Sequence, residues 1–141
     1  KNFDKSKIYC VDNWKQTNEY ADHKNYYSVE KNFDLNIKDY KNVSKIKMSS
    51  DDFFLQNRKN FDIVYIDGYH YGPQVLKDCK NAWKYLKNNG YLVCDDYIWN
   101  FYKNIEMNPC YAINQFLSEI NGYFKIEKIS NSQIFIKKIN S

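Results

Sequence analysis

The chain has 141 residues, of which 43% are hydrophobic and 18% aromatic, and its formal net charge is +4. This length suits one domain with a buried core and is too short for two. The Lys and Arg residues are dispersed, which does not favour a nucleic-acid groove, and no apolar run approaches the roughly 18 residues of a membrane helix. No signal-peptide pattern precedes the first element, and the four cysteines lack metal-site spacing, so we expect reduced thiols in a cytoplasmic protein.

The first half of the chain alternates predicted strands and helices. Lys7–Asp12 predicts a short buried strand ending in an acid, and a polar stretch follows to Lys24. From about Tyr26 to Tyr40, apolar residues recur every three to four positions, which indicates an amphipathic helix. Val43–Met48 predicts a second strand, after which Ser49–Asp52 is suited to cap a brief helix. Phe61–Asp67 is the clearest strand, and its continuous apolar run is typical of a strand covered on both faces.

The second half continues the alternation and then changes to two consecutive strands. Gly68–Gly72 predicts a turn, Pro73 begins a helix that runs to about Lys87, and Asn88–Gly90 predicts its stop. The remaining predicted elements are a strand, a helix and an antiparallel hairpin: Tyr91–Cys94, a helix beginning at Pro109, and the strands Tyr123–Ile129 and Gln133–Ile139. This order predicts one α/β domain with a mainly parallel sheet flanked by helices and a C-terminal antiparallel hairpin.

Acidic residues follow three of the predicted strands, at Asp12, at Asp67 and at the pair Asp95–Asp96. Ligands of parallel sheets bind outside the carboxyl ends of the strands, where these acids are expected to lie. A carboxylate at such a position accepts hydrogen bonds from ribose hydroxyls or binds a hard cation. Each acid taken singly is equally compatible with a helix cap or a solvated loop charge.

Several short motifs resemble one protein superfamily. The segment Tyr65-Ile-Asp-Gly-Tyr-His70, the stretch Leu86–Cys94 and the block Asp95-Asp-Tyr-Ile-Trp99 are similar to motifs of class I, Rossmann-like, S-adenosylmethionine-dependent methyltransferases. The similarity is greatest to small-molecule O-methyltransferases. It implies a methyl transfer from S-adenosylmethionine to a hydroxyl of a small molecule or sugar, with divalent-metal assistance, and it leaves a homo-oligomer open.

The resemblance also implies residues that bind the cofactor. Asp12 matches the acid that holds the cofactor ribose. Ser49, Ser50 and Asp51 match the loop beside the adenine, although a plain helix cap explains them equally well. The resemblance also implies that Asp67 contacts the cofactor.

A metal site and a base are implied in the same way. Asp67, Asp95 and Asp96 match the positions at which metal-dependent members bind Mg²⁺, a hard ion that prefers oxygen ligands. His70 matches the general base of catechol-type members, whereas a surface histidine is the alternative.

The glycine-rich turn that opens such domains has no counterpart in this sequence. Its four glycines all follow Asp12, and no strand precedes Lys7. We therefore expect an N-terminally incomplete domain, whose missing first strand lies mid-sheet between the strands that end at Asp12 and Asp67. The chain is then part of a longer protein, a degenerate relative that serves as an inactive scaffold or interaction domain, or a domain completed by another segment or subunit. A different, sugar-modifying Rossmann-like enzyme is a further alternative.

Overall fold

A computed structural model describes residues 6–15 and 26–140. The end of the predicted polar stretch that runs to Lys24 therefore lies outside the described residues. The chain divides into two compact units, Lys1–Gln56 and Asn57–Ser141, and each unit is described by itself. None of the helices in the described part of the chain combines the length and the apolarity needed to span a bilayer.

The first unit contains two parallel strands and two helices. In chain order these are β1 (Ile8–Asp12), α1 (Tyr26–Ile37), β2 (Val43–Lys47) and α2 (Ser50–Gln56). Strands β1 and β2 pair in parallel. Asp12 and Lys47 are opposite each other at the carboxyl ends of both strands. Helix α1 is the crossover connection that a parallel pair requires.

The second unit contains a four-stranded mixed sheet in the order β3-β4-β6-β5. Strands β3 and β4 are parallel, and β6 runs antiparallel to both β4 and β5. The predicted parallel-rich sheet with a C-terminal antiparallel hairpin is thereby confirmed. The elements of this unit are β3 (Phe61–Ile66), α3 (Gly72–Tyr85), β4 (Leu86–Cys94), a 3₁₀ helix (Ile105–Met107), α4 (Pro109–Glu119), β5 (Phe124–Ser130) and β6 (Gln133–Lys138).

One face of this sheet forms the core of the second unit. Helix α3 lies against that face, because the Sγ atoms of Cys79 on α3 and Cys94 on β4 are 3.8 Å apart. Helix α4 packs beside α3, with the rings of Trp83 and Phe116 at 5.7 Å. The fully buried side chains of this core include Leu92, Ile113, Phe116, Ile134 and Ile136.

The cysteines are thiols, as expected from their spacing. All four are free, and Cys79 and Cys94 are buried while the other two are half-buried. The hydrogen bond with Cys94, together with burial, raises the pKa of Cys79 well above its usual range. A buried thiol with a raised pKa is a packing residue rather than a nucleophile.

The opposite face of strand β3 is exposed, contrary to the prediction of a strand covered on both faces. Ile63 and Tyr65 are 62% and 50% exposed. The pairing register places them beside Tyr91 and Val93, on the face opposite to Cys94. Within this unit, one face of β3 is therefore covered and the other is exposed, because α3 and α4 both lie on the covered face.

The end of helix α3 also differs from the prediction. The helix ends at Tyr85, and the predicted stop Asn88–Gly90 lies within strand β4. Asn89 has φ 62°, and the pairing with β3 shifts its register at this point. A Cβ atom on Gly90 would lie 2.8 Å from the carbonyl oxygen of Asp62, so glycine permits a close approach of β4 to β3. The turn-forming residues thus produce an irregularity in a strand rather than a loop.

The strands form two sheets rather than the single sheet of a complete Rossmann-like domain. Within the described residues, β1 pairs with β2 and β3 pairs with β4, and no ladder joins the two pairs.

Candidate functional site

Asp12 ends strand β1 on an exposed turn of the first unit. Its Oδ1 atom accepts a hydrogen bond of 2.7 Å from the backbone N–H of Trp14, which has φ 51°. Its carbonyl oxygen accepts from the N–H of Met48, directly after β2. The carboxylate is therefore held at the carboxyl edge of the parallel pair, where a ligand of such a sheet would meet it.

Trp14 packs onto its own unit. Its ring lies 5.2 Å from that of Phe33 on α1, and the Nζ atom of Lys45 lies 4.7 Å from its centroid. Lys45 also forms an ion pair with Glu30, and the hydrogen bonds from Lys45 and Lys47 lower the pKa of Glu30. These contacts hold the Trp14 ring in place and thereby stabilise the turn after Asp12.

Ser49 is a helix cap in the structure. Its Oγ accepts from the N–H of Asp52 at 3.1 Å and donates to the Asp52 carboxylate at 2.7 Å. The first of these bonds is a side-chain N-cap of α2, and the second joins the two side chains. Ser50 and Asp51 are half-buried in the first turn of the same helix. The adenine-binding role of all three stays a prediction.

In the second unit, the structure brings together Asp67, His70 and Asp96. Each offers a ligand atom, and these atoms all lie within 4.8 Å of one another. The Nε2 atom of His70 is 2.8 Å from Oδ2 of Asp96. Asp67 is exposed, Asp96 is half-buried and His70 is only 4% exposed. Two carboxylates and an imidazole at this spacing are a donor set that suits a divalent ion.

The local chain explains why these residues converge. Asp67 directly follows β3, Asp96 follows the neighbouring parallel strand β4, and the carboxyl ends of both strands lie at one edge. Gly72, in the first turn of α3, has no room for a side chain, since an added Cβ would lie 2.7 Å from the carbonyl oxygen of Glu106. This close packing fixes the start of α3 and, with it, the turn that carries His70.

Asp95 lies in a different environment from its neighbour Asp96. Its Oδ1 accepts from the N–H of Asp96 at 2.9 Å and from Ser132 Oγ at 3.1 Å. Its Oδ2 accepts from Gln133 Nε2 at 3.1 Å and from the Tyr65 hydroxyl. Among the described residues, Asp95 is not a member of the group that Asp67, His70 and Asp96 form. Its role as a metal ligand stays a prediction.

The pKa values of Tyr65 and Asp95 shift in the directions expected for a neutral phenol that donates to a charged carboxylate. The bond to Asp95, with burial and the charges of Asp95 and Asp67, raises the pKa of Tyr65 to about 12. Desolvation alone would raise the pKa of Asp95, but hydrogen bonds from Tyr65, the Asp96 backbone, Gln133 and Ser132 outweigh it and the pKa is lowered. At neutral pH the phenol is therefore a donor and the carboxylate an acceptor.

Aromatic rings continue outward from His70. The His70 ring stacks on Trp99 at 4.7 Å, and Trp99 stacks on Phe101 at 5.3 Å. Asn108 is buried and hydrogen-bonds to the backbone of this segment. Its side-chain amide accepts from the N–H groups of Phe101 and Tyr102 and donates to the Tyr102 carbonyl oxygen. The aromatic segment is thereby ordered by a single buried side chain.

The sequence predicts Asp67, His70 and Asp96 as site residues, and the structure brings these three side chains together. It does not predict the contacts around Asp95. Tyr65 lies inside the motif used for the resemblance. Ser132 and Gln133 lie in a hairpin 37 and 38 residues from Asp95. The contacts of Asn108 likewise leave no signal in the sequence, so only the tertiary structure reveals the roles of Ser132, Gln133 and Asn108.

Parallel strands flanked by helices and a closing antiparallel hairpin are the features of a Rossmann-like α/β fold. Residues 1–97 match the family described as "Methyltransferase domain". This match covers more than half of the chain, and the chain belongs to that family. No curated protein sequence matches it significantly.

Solved structures share the fold. The chain is similar to the O-methyltransferase NovP, with 13% identity and a TM-score of 0.70 over 95% of this chain and 60% of NovP. It is similar to an O-methyltransferase from Bacillus cereus solved in complex with SAH, with 8% identity and a TM-score of 0.62 over 95% of this chain and 63% of that one. An rRNA methylase from Streptococcus thermophilus matches with 12% identity and a TM-score of 0.62, over 95% of this chain and 74% of that one. The chain thus spans less than two thirds of either O-methyltransferase.

Proposed function

We propose that the chain takes part in S-adenosylmethionine-dependent methyl transfer to a hydroxyl of a small molecule or sugar, with a divalent ion at Asp67, His70 and Asp96. One observation carries the proposal: in a methyltransferase-family chain, these three side chains meet at the carboxyl edge of β3 and β4. Like charges at this spacing repel unless a cation or a proton lies between them. The likeness to O-methyltransferases supports oxygen as the acceptor atom.

The donor set fits a divalent ion such as Mg²⁺ or Mn²⁺ at Asp67 and Asp96, and His70 supplies a nitrogen ligand that Mg²⁺ uses less readily. A bound ion would lower the pKa of an acceptor hydroxyl and orient it. Asp67 and Asp96 would hold the ion beside the acceptor hydroxyl. Asp12 would accept hydrogen bonds from the ribose of the cofactor. Ser49, Ser50 and Asp51 are the proposed adenine side of the cofactor site.

Two roles stand for His70. The sequence predicts a general base, whereas the contact with Asp96 favours an ion ligand. We propose the second role, because the imidazole is buried and its Nε2 faces Asp96 rather than solvent. A His70→Ala variant separates them: a ligand role lowers ion affinity, whereas a base role lowers methyl transfer and leaves ion affinity unchanged.

The test is calorimetric titration of the chain with Mn²⁺, Mg²⁺ and S-adenosylmethionine. We expect Asp67→Asn and Asp96→Asn each to weaken Mn²⁺ binding by at least about 100-fold, since loss of a ligand exceeds the 10–100-fold cost of losing a supporting contact. Asp62→Asn is the matched control, because Asp62 is an exposed acid on the same strand that pairs with Lys87 at 2.9 Å. An absence of binding by either ion in the wild-type chain would refute the ion site.

A non-catalytic domain is the second candidate, and the separate hydrogen bonding of the two sheets favours it. In this case the chain would be a scaffold or partner-binding unit that retains the fold. S-adenosylmethionine binding separates the two candidates: calorimetric titration would show binding for an enzyme and none for a scaffold.

A further inference from the structure

The carboxylate of Asp95 accepts hydrogen bonds from several parts of the chain. Its donors are the Asp96 N–H, the Ser132 hydroxyl, the Gln133 amide and the Tyr65 hydroxyl. These donors come from three places in the chain, namely the turn itself, strand β3 and the hairpin at the start of β6. Asp95 therefore fastens these three segments to one another.

The backbone at this point is held in an unfavourable conformation. Asp96 has φ 52°, a left-handed conformation that is unfavourable for a residue with a side chain and persists only when the surroundings enforce it. The surroundings do so through further bonds, since the N–H of Asp95 donates to the Ile66 carbonyl at 2.9 Å and that of Tyr97 donates to the Ser132 carbonyl at 2.6 Å. The left-handed turn directs the Asp96 side chain to His70, while Asp95 stays with Tyr65 and the hairpin.

We propose that Tyr65, Ser132 and Gln133 are positioning residues, which act through Asp95 to hold the turn that directs Asp96 at His70 and Asp67. This inference rests on the proposed ion site. It makes the C-terminal hairpin a functional part of the site through the hydrogen bonds of Ser132 and Gln133 to Asp95. Contacts of this kind around metal ligands are worth about 10–100-fold in metal affinity.

Removal of the Tyr65 hydroxyl tests the positioning role. Without this donor the turn that carries Asp95 and Asp96 is held less firmly, so ion binding weakens. Tyr65→Phe deletes a single oxygen from a half-exposed side chain, so it leaves the apolar packing of the ring in place.

The experiment measures Mn²⁺ affinity of the 141-residue chain by electron paramagnetic resonance of the free ion. We expect Tyr65→Phe to weaken binding by about 10–100-fold. We expect Gln133→Ala, which acts from a different strand, to weaken it in the same direction. Tyr91→Phe is the matched control, because the register places it on the same face of the sheet as Tyr65, and it should match the wild type. Near-ultraviolet circular dichroism identifies any variant that fails to fold.

Each outcome decides between the possibilities. Wild-type affinity in both Tyr65→Phe and Gln133→Ala, with loss of binding in Asp67→Asn, would overturn the positioning role and leave the ion site intact. Tighter binding in Tyr65→Phe would likewise overturn the positioning role. A wild-type chain without Mn²⁺ affinity would overturn the ion site itself and, with it, the inference built on it.

Discussion

Asn108 organises the aromatic segment beside the site, and its replacement provides the most direct test of that order. The side chain is buried, at 4% exposure. Its amide forms four hydrogen bonds with the backbone: from the N–H groups of Phe101 and Tyr102, and to the carbonyl oxygens of Tyr102 and Asn104. Asn108→Ala removes all four at once, without altering the backbone of Asn108 that precedes α4.

The size of the effect follows from these four bonds. A protein hydrogen bond contributes about 1 kcal/mol net, and a buried group left without its partner costs about 1–3 kcal/mol. Water can reach part of this segment, since Phe101 is 59% exposed, so the lower values apply. We therefore expect Asn108→Ala to reduce the free energy of unfolding by about 2–4 kcal/mol, a large share of the roughly 5–15 kcal/mol of a typical domain.

Urea unfolding followed by circular dichroism measures the free energy, and hydrogen exchange of the Phe101 and Tyr102 amides reports on the segment directly. Asn104→Ala is the control, because its exposed side chain accepts one bond, from the N–H of Glu106 at 3.1 Å. It should cost only about 0.5–1 kcal/mol. If Asn108→Ala is no more destabilising than this control, and both amides stay protected, the organising role of Asn108 is refuted.

Two further predictions concern the packing and the charges of the second unit. Gly72→Ala should destabilise the chain by about 1–3 kcal/mol in urea unfolding, because the new Cβ meets backbone atoms of Glu106 at 2.7 Å that cannot move aside easily; a change below 0.5 kcal/mol would contradict this. The Tyr65–Asp95 bond should also make stability depend on pH in acid and in alkali. The lowered pKa of Asp95 contributes stability above its unfolded value of about 3.9, and this contribution is lost as pH falls through the folded value. The raised pKa of Tyr65 contributes stability below about 10, and this contribution is lost as pH rises towards about 12. Urea unfolding from pH 3 to pH 11 should show both losses of stability in the wild type, and both losses should be smaller in Tyr65→Phe.

Local patterns in the sequence were sufficient for most of the fold. Alternating apolar runs and helical spacing located the strands and helices, and the two consecutive strands at the end predicted the antiparallel hairpin correctly. The prediction was wrong where local signals were ambiguous. Asn88–Gly90 has the composition of a helix stop, but the same residues form an irregular stretch of β4 where Gly90 permits a close approach to β3.

The candidate site was predictable to the extent that it depends on strand ends. Acids after parallel strands lie at one edge of the sheet, and this rule of topology predicts that Asp67 and Asp96 lie close together. Sequence cannot tell which of two adjacent acids turns towards that edge. The choice between Asp95 and Asp96 depends on a left-handed backbone turn and on donors from Tyr65 and Gln133, which are distant in sequence.

The sequence by itself thus determined the order of strands and helices, the parallel pairing, and the sheet edge at which Asp67 and Asp96 lie, because these follow from apolar periodicity and the handed connections of parallel strands. Only the tertiary structure decided which side chains meet there. Hydrogen bonds between distant segments, such as those from the hairpin to Asp95 and from Asn108 to the aromatic segment, leave no periodic trace in the chain. They arise once the elements are packed, and they fix the direction of the individual side chains.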